Sequence, residues 1–193
     1  MSITYYDQHA DAFVAATIAV DMSSLYDLFL PYLAPGARIL DAGCGSGRDS
    51  AHFLSLGFAV HAFDASAEMV SRARALTGLS VRCCRFEQYQ TDQPLDAIWA
   101  CASLLHVPAG DLPAILTHLA SLLKEDGIFY CSFKYGTGQV ERDGRRFTQL
   151  DETGLAGLLA PLPFASERIW QTADLRPGRE AERWLNAILR KRT

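Results

Sequence analysis

The fold is decided by the stretch Arg38-Ile39-Leu40-Asp41-Ala42-Gly43-Cys44-Gly45-Ser46-Gly47-Arg48-Asp49. Its apolar first part predicts a short strand at 37–41, and the residues from 47 to 56 predict a helix. Between them lie three glycines at alternate positions. Glycine has no Cβ, so its backbone can approach a bound ligand closely. The stretch therefore predicts a strand–turn–helix unit with a ligand at the turn.

The residues around the glycines indicate which kind of ligand the turn binds. A dinucleotide-binding turn has the pattern G-x-G-x-x-G and seats a pyrophosphate on the helix N-terminus. Here Arg48 occupies the third glycine position counted from Gly43, and Gly47 comes one residue early. Asp41 stands just before the glycines, where its carboxylate would repel a pyrophosphate and attract an ammonium group. The turn therefore favours a cofactor that carries an ammonium group.

The same alternation of strand and helix continues after the turn, whereas only helices are predicted before it. Two helices are predicted before it, at 5–18 and from Ser23 or Ser24 to Leu33. After it, strands are predicted at 59–63, 79–84, 96–101, 127–133 and 166–175, and helices at 67–76, 111–123 and 153–159. Residues 183–190 fit a helix or a doubly buried strand. This order is typical of βαβ units and a parallel sheet.

Two more acidic residues follow the next strands. Asp64 ends the second strand, 23 residues after Asp41, where a carboxylate can accept hydrogen bonds from ribose hydroxyls. Glu87 follows the third strand, where it can accept from an adenine amino group while Phe86 covers the ring. Asp49 lies in the first turn of a helix, and stabilisation of the helix dipole is sufficient to explain it.

These motifs together resemble those of the class I S-adenosylmethionine-dependent methyltransferases. The segment 41–47 is similar to their glycine-rich first motif, Phe63-Asp64 to the second, and Arg85-Phe86-Glu87 lies where the third is expected. Residues 95–106 resemble their fourth strand and the loop after it. The resemblance covers roughly residues 5–134, and more loosely the remainder. The loop Ser103-Leu104-Leu105-His106 is similar to the tellurite-resistance and trans-aconitate methyltransferase groups.

The resemblance implies an α/β fold, a Rossmann-like doubly wound sheet of seven strands with helices on both faces. The sheet is mostly parallel, with an antiparallel C-terminal strand, which assigns 183–190 to a strand. One domain, 1–193, comprises a helical lid at 1–35, a cofactor-binding core at 36–134, and a substrate loop and strand pair at 135–193. The implied cofactor is S-adenosyl-L-methionine, with S-adenosyl-L-homocysteine as product, held by Asp41, Gly43, Cys44, Gly45, Gly47, Asp64, Ala65, Met69, Phe86, Glu87 and Ala102.

Candidates for catalysis and substrate binding come from three further segments. His106 follows the fourth strand, where it is either a general base or a packed histidine. Tyr5 and Tyr6 begin the N-terminal helix, where an aromatic ring can face a sulfonium or simply pack. The segment 134–147 carries three glycines and four basic residues, and is either an anion clamp or an exposed hairpin: Lys134, Arg142, Arg145 and Arg146.

Composition narrows the class of function. The chain has 193 residues, 49% hydrophobic and 21% charged, as expected of one globular domain. Its net charge of −4 disfavours a nucleic-acid enzyme. Residues 1–133 carry 7 basic and 14 acidic side chains, and residues 134–193 carry 11 and 8. The basic last third is suited to an anionic small substrate.

Several expectations concern location and partners. No basic residue precedes Arg38, and the apolar run Ala12–Val20 is too short to span a bilayer, so a cytoplasmic protein without a signal peptide or membrane contact is expected. The five cysteines include no C-x-x-C, so no metal site is expected.

The sequence thus predicts a methyltransferase for a small metabolite or oxyanion, as a monomer or homodimer. An RNA or protein methyltransferase and a non-catalytic S-adenosylmethionine-binding protein remain alternatives.

Overall fold

The computed structural model describes residues 2–192, which form one nine-stranded sheet with helices packed on its two faces. The strands are β1 (Arg38–Ala42), β2 (Ala59–Asp64), β3 (Arg82–Cys83), β4 (Leu95–Ala100), β5 (Leu123–Tyr135), β6 (Gly138–Arg142), β7 (Arg145–Leu150), β8 (Phe164–Ala173) and β9 (Arg183–Lys191). The helices are α1 (Ser2–Gln8), α2 (Ala10–Thr17), α3 (Ser23–Phe29), α4 (Arg48–Ser55), α5 (Ala67–Thr77), α6 (Leu112–Leu122) and α7 (Glu152–Leu159). None of these helices is long and apolar enough to cross a bilayer.

The sheet has the predicted doubly wound topology. Strands β3, β2, β1, β4 and β5 lie side by side and parallel, in that order. Strand β9 pairs antiparallel with β5 on one side and with β8 on the other. The fold class predicted from the sequence is confirmed, and the ambiguous segment 183–190 is a strand.

Alternate residues of the central strands explain why both faces are covered. Ile39 of β1 packs with Phe29 and Phe53 from α3 and α4, whereas the next residue, Leu40, belongs to the core that contains Leu116 of α6. Side chains of a strand point alternately to opposite faces, so a continuous apolar run needs helices on both sides.

Some local predictions differ from the structure. The strand predicted at 79–84 is only two residues long, β3 (Arg82–Cys83). The predicted helix at 5–18 is two helices, because the chain leaves helical geometry at His9, where φ is −120° and ψ is 22°. The segment after β5 is a β-hairpin, with β6 and β7 antiparallel and β7 joined to the end of β5 through Lys134 and Tyr135. This hairpin adds two strands to the seven that were predicted.

Candidate functional site

A cleft of about 900 Å³ opens at the carboxyl ends of the parallel strands. Its floor includes the glycine turn after β1 and the residues that follow β2 and β4. Side chains from α1, α2 and the β6–β7 hairpin line its outer side. In open α/β sheets this edge is where ligands bind.

The glycine turn lies tightly against the loop after β4. The backbone N–H groups of Gly43 and Cys44 both donate to the carbonyl oxygen of Phe63, at 2.9 and 3.0 Å. Gly43 has φ +78°, and a Cβ there would lie 2.5 Å from the Cβ of Ser103. A side chain at Gly43 is therefore excluded both by backbone geometry and by space.

Gly47 lies where α4 and α5 come together. It was expected to contact the cofactor, but it is buried behind the turn and does not line the cleft. Its φ is +85°, and a Cβ there would lie 3.0 Å from the Cα of Ala73 in α5. Gly47 therefore allows α4 and α5 to approach each other.

Asp64 lies at the end of β2 and lines the cleft. Its two carboxylate oxygens accept backbone hydrogen bonds of 2.9 Å, one from Gly45 and one from Ser66. Burial raises the pKa of Asp64, although these hydrogen bonds oppose the shift. The carboxylate thus connects the glycine turn to the start of α5.

Asp41 also lines the cleft, but it is only 3% exposed. The hydroxyl of Ser50 donates to its carboxylate at 2.6 Å. Burial, and then the nearby Asp49 carboxylate, raises the pKa of Asp41. A negative charge on Asp41 is therefore incompletely balanced by the protein, which suits a site that receives a cation.

Asp49 has the opposite environment. Its carboxylate accepts hydrogen bonds from the Tyr26 hydroxyl (2.6 Å), Arg48 Nε (2.6 Å) and Trp99 Nε1 (2.8 Å). Burial acts to raise the pKa of Asp49, but Arg48 and the hydrogen bonds outweigh it and the pKa is lowered. Stabilisation of a helix dipole is therefore not the main role of this residue, because it joins α3, α4 and β4 in the core.

The remaining residues predicted to bind the cofactor line the same cleft: Gly45, Cys44, Ala65, Met69, Phe86, Glu87 and Ala102. The Phe86 ring packs edge-on against Phe63, with centroids 5.4 Å apart, and Glu87 is exposed. Ala102 has φ +51°, a strained conformation for alanine, and its N–H donates to the Ser132 hydroxyl at 2.8 Å. Strain of this kind is frequent where a ligand or a reaction needs the backbone in one position.

Tyr6 and His106 form a hydrogen-bonded pair beside the cleft. The Tyr6 hydroxyl is 2.8 Å from His106 Nε2, and His106 Nδ1 is 2.8 Å from the carbonyl oxygen of Arg146. A carbonyl only accepts, so Nδ1 carries the proton and Nε2 accepts from Tyr6. Burial lowers the pKa of His106 to about 4 and raises the pKa of Tyr6 to about 12. Both side chains are therefore neutral over the physiological range.

Tyr5 is placed differently from Tyr6. It does not line the cleft, and its ring is covered by the Arg145 guanidinium, whose carbon lies 4.1 Å from the ring centroid. Of the two tyrosines predicted to face a cationic ligand, only Tyr6 is therefore placed to do so.

The four basic residues predicted to bind substrate line the cleft but have different surroundings. Lys134 is bound to Asp174 at 2.9 Å and to Glu182, so two carboxylates already balance its charge. The side chain of Arg142 is 63% exposed. Arg146 contacts Glu141 at 3.3 Å, whereas Arg145 is almost buried. Residues 2–192 contain no cluster of three or more side chains suited to hold a metal ion.

Comparison with known proteins assigns the chain to a family. A family model described as a methyltransferase domain matches residues 14–168. The chain belongs to this methyltransferase family, and the resemblance predicted from its motifs is confirmed.

Curated relatives match only part of the chain. A ubiquinone biosynthesis O-methyltransferase of Xanthomonas campestris pv. campestris is 38% identical over 105 residues, which is 51% of this chain and 43% of that protein. A protein of the same name from Rhodopseudomonas palustris is 33% identical over 98 residues, 48% of this chain and 38% of that protein. The chain thus aligns with less than half the length of these relatives.

Solved structures share the fold over the whole chain. The 1,6-didemethyltoxoflavin-N1-methyltransferase of Burkholderia thailandensis, with bound 1,6-didemethyltoxoflavin and S-adenosylhomocysteine, has a TM-score of 0.79 at 22% identity, covering 100% of this chain and 86% of that one. A TehB-like methyltransferase of Corynebacterium glutamicum has a TM-score of 0.72 at 19% identity, covering 99% and 98%. This chain therefore has the class I methyltransferase fold.

Proposed function

We propose that this protein transfers a methyl group from S-adenosylmethionine to a small molecule. The observation that carries the proposal is the pair of carboxylates beside the glycine turn, Asp41 and Asp64, at the ends of β1 and β2 in one cleft. A buried carboxylate at this turn disfavours a pyrophosphate and favours an ammonium group. The named relatives, which are O- and N-methyltransferases, agree with this proposal.

The residues around the cleft fit each part of this cofactor. Asp41 would face the ammonium group, because its raised pKa marks a carboxylate that lacks a balancing cation. Asp64 would accept from the ribose hydroxyls. Phe86 and Glu87 would hold the adenine, one against the ring and one at the amino group. Gly43 has no Cβ, so the backbone of the turn can lie against Ser103 in the loop after β4.

The bound cofactor supplies an already activated methyl group on a sulfonium. The chain's own residues then have to position the acceptor and exclude water. His106 is neutral above about pH 4, so its Nε2 can accept a hydrogen bond from the acceptor if the Tyr6 hydroxyl turns away, but the lowered pKa makes it a weak base. An acceptor whose nucleophile is already deprotonated needs no such base.

A small acceptor is supported by how the cleft is covered. Asp7 of α1 accepts from the Ser66 hydroxyl at 2.6 Å, and Arg146 N–H donates to the Ser2 hydroxyl at 3.2 Å. These bonds hold α1 over the cleft from the α5 side and from the hairpin side. A macromolecular substrate would have to displace this cover, and the net charge of −4 opposes nucleic acid.

The test is a methylation screen with S-adenosylmethionine carrying a deuterated methyl group, incubated with protein and a metabolite extract. We expect one or a few small products heavier by the labelled methyl group, and S-adenosylhomocysteine formation that depends on the extract. Heat-inactivated protein is the control. Label found only in RNA or protein would favour a macromolecular methyltransferase, and cofactor binding without turnover would favour a non-catalytic binding protein.

A further inference from the structure

Arg145 is a nearly buried cation at the start of β7 and lines the cleft. Its side chain is only 11% exposed. The guanidinium lies between two aromatic rings, with its carbon 4.1 Å from the centroid of Tyr5 and 5.2 Å from that of Phe147. Stacking of this kind fixes the orientation of the planar group.

The charge of Arg145 and one of its hydrogen-bond donors are poorly satisfied. Its Nε is buried and has no hydrogen-bond partner within residues 2–192. The carboxylate it contacts, that of Asp143, is 3.6 Å away and 59% exposed. A buried donor without a partner costs free energy, and a buried cation needs a nearby anion. Lys134, by contrast, is bound by two carboxylates.

The surroundings of Arg145 belong to the acceptor side of the cleft. The guanidinium lies near enough to the Tyr6 hydroxyl to lower its pKa against the larger effect of burial. Tyr6 in turn contacts His106, which follows β4. Apolar side chains line the same part of the cleft, among them Val140 and Phe147 of the hairpin.

We propose that Arg145 is a specificity-determining residue that binds a carboxylate on an acceptor with an otherwise apolar body. The planar guanidinium can donate two parallel hydrogen bonds to a carboxylate, which is the kind of partner that its buried Nε lacks. The stacked rings keep it in place before the acceptor arrives. This inference rests on the proposed function and adds to it the chemical class of the acceptor.

The test uses benzoate and its neutral analogue benzamide as probes of protein saturated with S-adenosylhomocysteine. Calorimetry should give benzoate a dissociation constant at least tenfold lower than that of benzamide. Arg145→Gln should weaken benzoate about ten- to a hundredfold, the range for hydrogen bonds to charged groups, and leave benzamide unchanged. Arg168→Gln is the matched control, because Arg168 is exposed on β8 and does not line the cleft, and it should bind benzoate as the wild type does.

Arg145→Lys separates recognition from folding, since it keeps the charge but loses the planar fork. It should fold, bind S-adenosylhomocysteine normally and bind benzoate more weakly than the wild type. Equal affinities of the wild type for benzoate and benzamide, or equal benzoate affinities of the wild type and both Arg145 variants, would overturn the inference. Failure of S-adenosylhomocysteine to bind would instead contradict the proposed function. Benzoate and benzamide are then compared on the ligand-free protein, where Arg145 should likewise bind benzoate more tightly than benzamide.

Discussion

Replacing Asp41 with asparagine should stabilise the ligand-free protein while weakening cofactor binding. The carboxylate is 3% exposed, has one hydroxyl donor at 2.6 Å, and lies near a second buried carboxylate. Asparagine is nearly the same size, keeps an oxygen to accept from Ser50, and removes the charge. Asp41 would thus lower the stability of the ligand-free protein and strengthen the binding of the cofactor.

The pH dependence gives the size and sign of this effect. Because the pKa of Asp41 in the folded protein is above its ordinary value of 3.8, the folded state holds this proton more firmly than the unfolded state. The wild type therefore loses stability as pH rises from about 4 towards the raised pKa. Each unit of pKa difference corresponds to about 1.4 kcal/mol. At pH 8 we expect Asp41→Asn to be at least ~1 kcal/mol more stable than the wild type.

Urea denaturation of both proteins at pH 5 and pH 8 measures this difference. The stability advantage of the variant should increase with pH, and its dissociation constant for S-adenosylmethionine should rise at least tenfold. Asp49→Asn is the control, because the carboxylate of Asp49 has three donors and a lowered pKa, so its loss should destabilise by about 3 kcal/mol. An Asp41→Asn protein that is less stable than the wild type at pH 8 would refute the reasoning.

Three other variants test neighbouring parts of the site. Gly43→Ala should lower the free energy of unfolding in urea by about 2–4 kcal/mol, because φ is +78° and the new Cβ would clash with Ser103. Gly36→Ala is the control, because the space around Gly36 is open, and it should lower the free energy of unfolding by only about 1 kcal/mol. Asp64→Ala should weaken S-adenosylhomocysteine binding by about 1.5–3 kcal/mol in calorimetry, and an unchanged affinity would remove Asp64 from the site. The wild type should lose up to about 3 kcal/mol of stability as pH falls from 6.5 towards 4, because the imidazole of His106 binds a proton more readily in the unfolded chain than when buried. His106→Asn should reduce this loss. Equal dependence of the unfolding free energy on pH in the two proteins would contradict this.

The cofactor side of the cleft could be predicted because its signals are local in the sequence. The strand, the glycines and Asp41 lie within a dozen residues, and Asp64 is found by its place at the end of the next strand. The carboxyl ends of parallel strands lie at one edge of the sheet, so the residues that follow these strands lie close together there. This is why Phe86 and Ala102 also line the cleft.

The role of Asp49 could not be predicted, because its partners are distant in the sequence. Two of its donors, Tyr26 and Trp99, are 23 and 50 residues away, and only the packing of α3, α4 and β4 brings them together. Arg48 is adjacent, but adjacency alone does not show a buried ion pair. Hydrogen bonds between residues that are far apart in the sequence produce no periodic pattern in it.

The hairpin after β5 did carry a local signal. Asp143 and Gly144 have φ of +52° and +71° and join β6 to β7 by a two-residue turn. An Asp-Gly pair between two extended segments is typical of such turns. From the sequence, an exposed hairpin was accordingly one of the two alternatives for this segment, beside an anion clamp. The split at His9 has no comparable signal, since neither glycine nor proline stands there.

Calorimetric titration of the purified protein with S-adenosylhomocysteine and with NAD tests the central claim most directly. The carboxylates of Asp41 and Asp64 beside a glycine turn predict micromolar or tighter binding of S-adenosylhomocysteine and no measurable binding of NAD at the same concentrations. Micromolar affinity for NAD, with no heat from S-adenosylhomocysteine, would contradict the account.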